Sequence, residues 1–197
     1  MTFEVELKIK VLEEEKSILN KFLESKVFLG NFFQKDVYLD TIKPSFAEND
    51  TALRVRMEQL LGTEHNSKKI ELTYKGKKER ADSKTRREYN LQLVENTEFE
   101  TIENFFKELG FLNAITISKN RKNYQIDEKT ILSLDENELG VFLEIEKIIE
   151  DKNLLLETED ELLKTLKTFL PSVTKERKIV KSYLELMLEA NKVKRKF

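Results

Sequence analysis

From Glu4 to Val11 the chain alternates without a break, Glu4, Glu6, Lys8 and Lys10 against Val5, Leu7, Ile9 and Val11. Successive side chains of a strand point to opposite faces, so this segment is a strand with one apolar and one charged side. A single strand of that kind is ordinary. Here the charged side recurs on strand after strand, which restricts the folds able to accommodate it.

Phe33 to Thr41 reads as the next strand, bounded by Gly30-Asn31 and Pro44. Thr51 to Gln59 sets Leu53, Val55 and Met57 against Arg54, Arg56 and Glu58. Leu60 to Ser67 is predicted to be a hairpin loop, and Lys68 to Lys75 a strand ended by Gly76 and the polar loop Lys77 to Ser83. Lys84 to Val94 places Arg87, Tyr89, Leu91 and Leu93 opposite Arg86, Glu88, Asn90 and Gln92. Ile115 to Ile126, Thr130 to Asp135 and Val141 to Ile149 bring the total to about eight strands, a number that can close into a barrel around one small ligand.

Helical spacing appears at Glu13 to Leu23, from Thr97 or Glu98 to Leu109 with Gly110 as its stop, at Leu154 to Leu170 and at Lys175 to Ala190. Amphipathic helices need a surface to cover, and the apolar strand faces offer one. The expected fold is therefore α+β, a closed antiparallel eight-stranded barrel with helices outside, as one domain over residues 1–197. Two pseudo-similar halves are visible, each with strands and a helix, without a residue-level repeat or low-complexity segment.

Charged residues make up 37% of the 197 residues while the net charge is only -2. Mixed-sign charge disfavours a nucleic-acid binder, which is basic overall. The periodic apolar residues and 13 phenylalanines disfavour disorder. Cysteine is absent and His65 is the single histidine, so any metal has oxygen ligands, which favours Mg²⁺ or Mn²⁺ over Ca²⁺. No apolar run reaches membrane-spanning length and the chain opens on a strand, so no membrane partner and a cytoplasmic location are expected.

If helices cover the apolar faces, the charged faces point into the barrel. The basic members are Lys8, Lys10, Arg54, Arg56, Lys75, Arg86, Lys119 and Arg121; the acidic ones are Glu4, Glu6, Glu58, Glu71, Glu88, Asp135, Glu144 and Glu146. Burying an unpaired charge costs several kcal/mol per ion, so such an interior holds water, ions or a charged ligand. Arginine forks and lysine ammoniums match phosphate oxygens, and clustered carboxylates match hard cations. Together they suit a metal-bound triphosphate. The competing reading is a one-sided sheet whose charged face meets bulk water.

These segments resemble the CYTH superfamily, the triphosphate tunnel metalloenzymes. Glu4-x-Glu6-x-Lys8 is similar to its signature, Leu53-Arg54-Val55-Arg56 to its paired-arginine strand and Leu72-Thr73-Tyr74-Lys75-Gly76 to its lysine strand. Thr85-Arg86-Arg87-Glu88, then Lys119-Asn120-Arg121 with Tyr124, then Asp135 and Leu139 to Glu146 follow in the family order. Ser182-Tyr183-Leu184-Glu185-Leu186 resembles the class IV (CyaB-type) adenylyl cyclase branch. One departure is Lys77, where relatives often carry proline.

The resemblance implies a tunnel, dependence on Mg²⁺ or Mn²⁺, and a nucleotide or other triphosphate substrate; a homodimer is left open. It implies Glu4, Glu6, Glu144 and Glu146 as metal ligands, with Asp135 as a fifth. Lys8, Arg54, Arg56, Lys75, Arg86, Lys119 and Arg121 match phosphate-binding positions, and Glu4, Glu6 and Lys8 are the expected catalytic residues. Adenylyl cyclase chemistry, triphosphatase chemistry and non-catalytic polyphosphate binding remain three separate options. Of the other residues, Tyr38 shares a polar face with Asp36 and Asp40, where substrate contact and a plain barrel-mouth tyrosine are equally open. Glu58 and Glu71 read as rim salt-bridge partners, Glu88 as orienting a nearby arginine, His65 as solvated and Lys10 as an exposed strand end. Phe99, Phe105 and Phe106 read as core packing, and the basic tail Lys192 to Lys196 as a frayed helix end.

Overall fold

The structure is a computed structural model that describes residues 3–62, 68–78, 86–94 and 97–194. His65, Thr85, the tips of the two loops predicted after Leu60 and Lys77, and the end of the basic tail lie outside the described residues. The strands are β1 (Phe3–Lys10), β2 (Val27–Asp40), β3 (Ala52–Leu60), β4 (Lys68–Lys78), β5 (Arg86–Gln92), β6 (Leu112–Gln125), β7 (Thr130–Asn137) and β8 (Gly140–Ile149). The helices are α1 (Lys16–Leu23), α2 (Phe99–Glu108), α3 (Leu155–Phe169) and α4 (Tyr183–Lys194). The eight strands form one sheet in the order β1-β8-β7-β6-β2-β3-β4-β5, giving the α+β class. The β1–β8, β7–β8, β6–β7, β2–β3, β3–β4 and β4–β5 pairs run antiparallel.

Two compact units divide the chain: Met1–Asn31 with Asn120–Val180, and Phe32–Lys119 with Lys181–Phe197. In the first, Val5, Leu7, Ile9, Leu132, Leu143 and Ile145 of the sheet share a core with Leu19 and Leu23 of α1 and Leu162, Leu166 and Phe169 of α3. These are the apolar faces predicted from alternation, and burying them drives the helices onto the strands. Phe22 stacks on Phe169 with centroids 3.8 Å apart. In the second, Val37, Leu39, Leu53, Val55 and Ile70 pack with Ile102 of α2, flanked by Phe99 and Phe106. Phe105 departs from its predicted core role, being 59% exposed.

Element boundaries moved where a local partner won over a sequence signal. β2 begins at Val27 rather than Phe33 because Gly30, at φ 149°, continues the strand instead of turning it. β4 runs through Gly76 to Lys78, with a register irregularity between Lys75 and Lys78. The last helix starts at Tyr183, not Lys175. Lys175–Arg177 form a single 3-10 turn, and the Ile179 N–H then bonds the Lys8 carbonyl at 2.8 Å, which draws the residues after the turn out of helical geometry. Ser182 and Glu185 then form a capping box: the Glu185 carboxylate accepts from the Ser182 N–H at 2.7 Å, and Ser182 Oγ accepts from the Glu185 N–H at 3.3 Å. Gly110, at φ 85°, follows α2 as predicted and supplies the left-handed turn that ends a helix.

Candidate functional site

In the first unit, the pairing of β1 with β8 and of β8 with β7 aligns the charged faces in rows. Glu6 lies opposite Glu146, and Lys8 opposite Glu144. On the far side Glu144 faces Ser133, and Asp135 faces Arg121 of β6. Lys8 Nζ stands 2.9 Å from Glu144, with both side chains buried. Arg121 grips Asp135 with two bonds of 2.6 Å each and donates a further bond to Glu144. Burial disfavours a charged guanidinium, yet Glu144 and Asp135 outweigh it and hold the Arg121 pKa well above its ordinary value. Glu4, at the start of the strand, is exposed and lies opposite Ile148. Lys10 is exposed, as expected.

In the second unit, β2, β3 and β4 build a comparable ladder with the opposite excess. Asp36 lies across from Arg56, which lies across from Glu71; Tyr38 lies across from Arg54, which lies across from Thr73. Arg56 forks onto Asp36 with bonds of 2.6 and 2.7 Å. A second guanidinium, Arg54, is 4.0 Å from the same carboxylate and donates to Glu71 at 3.2 Å and Thr73 Oγ1 at 3.1 Å. Burial alone raises the Asp36 pKa, but the charge and bonds of Arg56 and the charges of Arg54 and Lys119 win, holding it well below the usual carboxylate range. Lys75 bonds Glu88 at 2.7 Å, so Glu88 orients a lysine and not the predicted arginine. Burial and the Arg54 charge push the Lys75 pKa down against the pull of Glu88. Arg86 donates to the Gly76 carbonyl at 3.3 Å. Lys119 Nζ sits 4.7 Å from the centre of the Tyr183 ring, within cation–π reach.

The structure thus gathers Glu6, Lys8, Arg121, Asp135, Glu144 and Glu146 on one face of the first unit. Arg54, Arg56, Lys75, Arg86 and Lys119 belong to the second. The sequence reading missed Asp36 as the hub of the second set. Its alternation with Tyr38 and Asp40 was visible, but only pairing with β3 puts it on Arg56. Tyr38 is buried, and its hydroxyl pKa is raised by that burial and by Asp36. Asp40 instead holds the following turn, accepting from the Thr41 N–H at 2.8 Å and the Phe46 N–H at 2.7 Å. Glu71 is the salt-bridge partner expected of it, whereas Glu58 accepts a bond from Gln34 at 2.5 Å.

Among the described residues no three acidic side chains are drawn around one point at metal-ligating distance. Asp135 has both oxygens on Arg121, and Glu144 has one on Lys8 and the other on Arg121. The donor chemistry nevertheless fits a hard divalent cation. Glu6 and Glu146 are directly opposed, a like-charge pair that destabilises a ladder and that a cation would relieve. Glu144 lies two residues along β8 on the same face, and every donor is oxygen.

Comparison with known proteins bears on the family and the fold. The CYTH domain pattern matches residues 2–183. A Methanocaldococcus jannaschii protein provisionally named an adenylate cyclase is 36% identical over 190 residues, covering 93% of this chain and 97% of the relative. A protein structure from Pyrococcus horikoshii OT3 has a TM-score of 0.80 at 30% identity, covering 95% of this chain and 99% of the other. A Hippeastrum protein, provisionally an adenylyl cyclase and described with a dominant triphosphatase activity, has a TM-score of 0.57 at 19% identity, with coverage of 86% and 89%. At that identity the likeness concerns the fold alone. None of the described helices is long and apolar enough to cross a membrane. The order of the charged strands, the cross-strand Asp–Arg forks they form, and the end-to-end match have one reading: the chain belongs to the CYTH domain family.

Proposed function

We propose that the protein is a divalent-metal-dependent enzyme acting on a triphosphate, with conversion of ATP to cyclic AMP and pyrophosphate as its reaction. The observation that carries this reading is the opposite surplus around two similar forks. Asp36 is shared by two guanidiniums, one of which also bonds Glu71, and Lys75, Arg86 and Lys119 against Glu88 bring the set to a net positive charge that suits phosphate oxygens. Arg121 is shared by two carboxylates, and Glu6 faces Glu146 across β1 and β8 in the same unit, a set suited to a cation. The Methanocaldococcus relative supports the cyclase over other triphosphate chemistries.

Arg54, Arg56, Lys75, Arg86 and Lys119 would hold and orient the phosphate chain and neutralise charge as pyrophosphate departs. Glu6, Glu144 and Glu146 would hold Mg²⁺ or Mn²⁺, with Glu4 at the edge of that set. The bound ion supplies Lewis-acid polarisation of phosphate oxygens. Lys8, 2.9 Å from Glu144, would contribute a positive charge to the transition state. In the cyclase reaction the ribose 3′-oxygen bonds the α-phosphorus, its proton passes to water, and the bond from that phosphorus to the pyrophosphate oxygen breaks.

The second reading is hydrolysis of a triphosphate by water. The Hippeastrum neighbour favours it, because the same fold there is described with a dominant triphosphatase activity. Incubation with ATP and Mg²⁺ or Mn²⁺, scored by product, separates them. Cyclic AMP with pyrophosphate supports the cyclase, and orthophosphate supports the triphosphatase. Tight binding of triphosphate without turnover under either metal would leave only a binding protein.

A further inference from the structure

The alternation of β4 assigns Glu71, Thr73 and Lys75 to the charged face, and continued alternation would add Lys77. The strand does not continue that way. Glu71 pairs with Gln92 and Lys75 with Glu88, but Lys78 pairs with Arg86. One extra residue has entered β4 after Lys75, which is the definition of a bulge, and a one-residue slip exchanges the two faces. Directly opposed residues share a face, so Lys78 joins Lys75, Arg86 and Glu88 while Lys77 turns outward and is exposed. Gly76 stands at the bulge, where a Cβ would meet the Arg87 carbonyl oxygen at 3.2 Å. The displaced backbone is satisfied: the Lys78 N–H donates to Asp50 Oδ2 at 2.9 Å, and Asp50 holds φ 53°, a conformation aspartate tolerates.

The lysine selected by the bulge is held by the first turn of α4. Lys78 Nζ lies 2.6 Å from Glu185 Oε1, and its side chain is 13% exposed. Glu185 is itself fixed by the capping box with Ser182, whose hydroxyl donates to it at 2.8 Å. The next residue after Ser182, Tyr183, is the one lying against Lys119. The Ser182-Tyr183-Leu184-Glu185 motif therefore steadies two lysines from two strands, β4 and β6.

We propose that Lys78 is a further anion-binding residue of the second unit, delivered to the charged face by the bulge and kept extended there by Glu185 at the start of α4. The proposal rests on triphosphate being the ligand. A polyanion takes over Lys78 from Glu185, as it takes over Lys75 from Glu88.

The test is calorimetric titration of the full chain with tripolyphosphate, alongside thermal melting without it. Lys78→Ala weakens binding about 10-fold, the value of one charge-assisted contact, and Lys78→Arg restores most of it. Lys77→Ala leaves the affinity within about twofold of wild type. Ser182→Ala loosens α4 and lowers the melting temperature without removing a cation, so it weakens binding less than Lys78→Ala does. If Lys77→Ala weakens binding as much as Lys78→Ala, the bulge does not choose the lysine. If Ser182→Ala does so, Lys78 acts only by tying down α4. Either result overturns the proposal. Failure of wild type to bind tripolyphosphate at all counts against the triphosphate reading itself, and is distinguished by that control.

Discussion

Each unit of the molecule contains an aspartate and an arginine facing one another across two antiparallel strands and joined by two short bonds. Asp36 meets Arg56 in one, and Asp135 meets Arg121 in the other. What differs is the third charge. Arg54 joins the first pair at 4.0 Å, and Glu144 joins the second through Arg121. Each third charge has a partner of its own, Glu71 for Arg54 and Lys8 for Glu144, so the sign of each set comes from the wider neighbours: Lys75, Arg86 and Lys119 against Glu88 in one unit, Glu6 and Glu146 in the other. The comparison teaches that the fork is the structural constant and the neighbour sets the ligand. It also explains how buried charges persist here, since each is held by more than one partner.

Five measurements test that contrast. The largest effect is expected at the acidic set: Glu6→Ala should cut metal-dependent turnover by about 10³-fold while stability holds or rises, because repulsion with Glu146 is relieved. Steady-state kinetics with parallel urea unfolding would show it, and unchanged turnover would remove Glu6 from the metal set. Next come the two forks. Asp36→Asn removes the carboxylate that Arg56 and Arg54 share, with Arg54 keeping Glu71, and should cost about 3–5 kcal/mol. Asp135→Asn leaves Arg121 with Glu144 and should cost only about 1–3 kcal/mol. Equal losses in urea unfolding would mean that the third charge does not matter.

A smaller effect belongs to Arg56→Ala, expected to weaken tripolyphosphate binding about 30-fold and orthophosphate binding much less. Titration calorimetry with both anions decides it, and equal losses would make Arg56 structural. Binding to the basic set should also fall as pH rises, beginning below the ordinary lysine value of 10.5, because burial and Arg54 lower the Lys75 pKa and a neutral amine no longer attracts phosphate. The smallest effect is structural and lies in the first unit. Glu15 is lowered from 4.5 to about 2, chiefly by its bond from Arg177 against the opposing cost of burial. A lowered carboxylate pKa stabilises the fold fully above pH 4.5 and progressively less as pH falls toward 2. Glu15→Gln should cost about 1–2 kcal/mol at neutral pH and remove that part of the acid lability, read by melting curves across pH 2 to 7.

Much of this architecture could be read from the chain alone, and the omissions have identifiable causes. Strict alternation in Glu4 to Val11 and Thr51 to Gln59 exposed both faces of β1 and β3, since period two survives whatever the neighbours are. Gly110 marked the end of α2 because a left-handed residue is needed there. Strand pairing was not legible. Nothing local says that Glu6 faces Glu146, that Asp36 faces Arg56, or that Glu88 meets Lys75 rather than an arginine. The start of α4 was misplaced by helical composition around Lys175, because a backbone bond from Ile179 to Lys8 competes with it.

Sequence by itself determined which residues carry charge, which side of each strand they occupy, and that the apolar sides demand helices. These are properties of local periodicity, encoded within a few residues. Tertiary structure alone decided the registers, and with them the sign of each charged cluster. It also decided that Lys78, and not Lys77, shares a face with Lys75. Those outcomes follow from bulges and cross-strand neighbours, and a bulge conserves the sequence while inverting the face, so no inspection of spacing can reveal it.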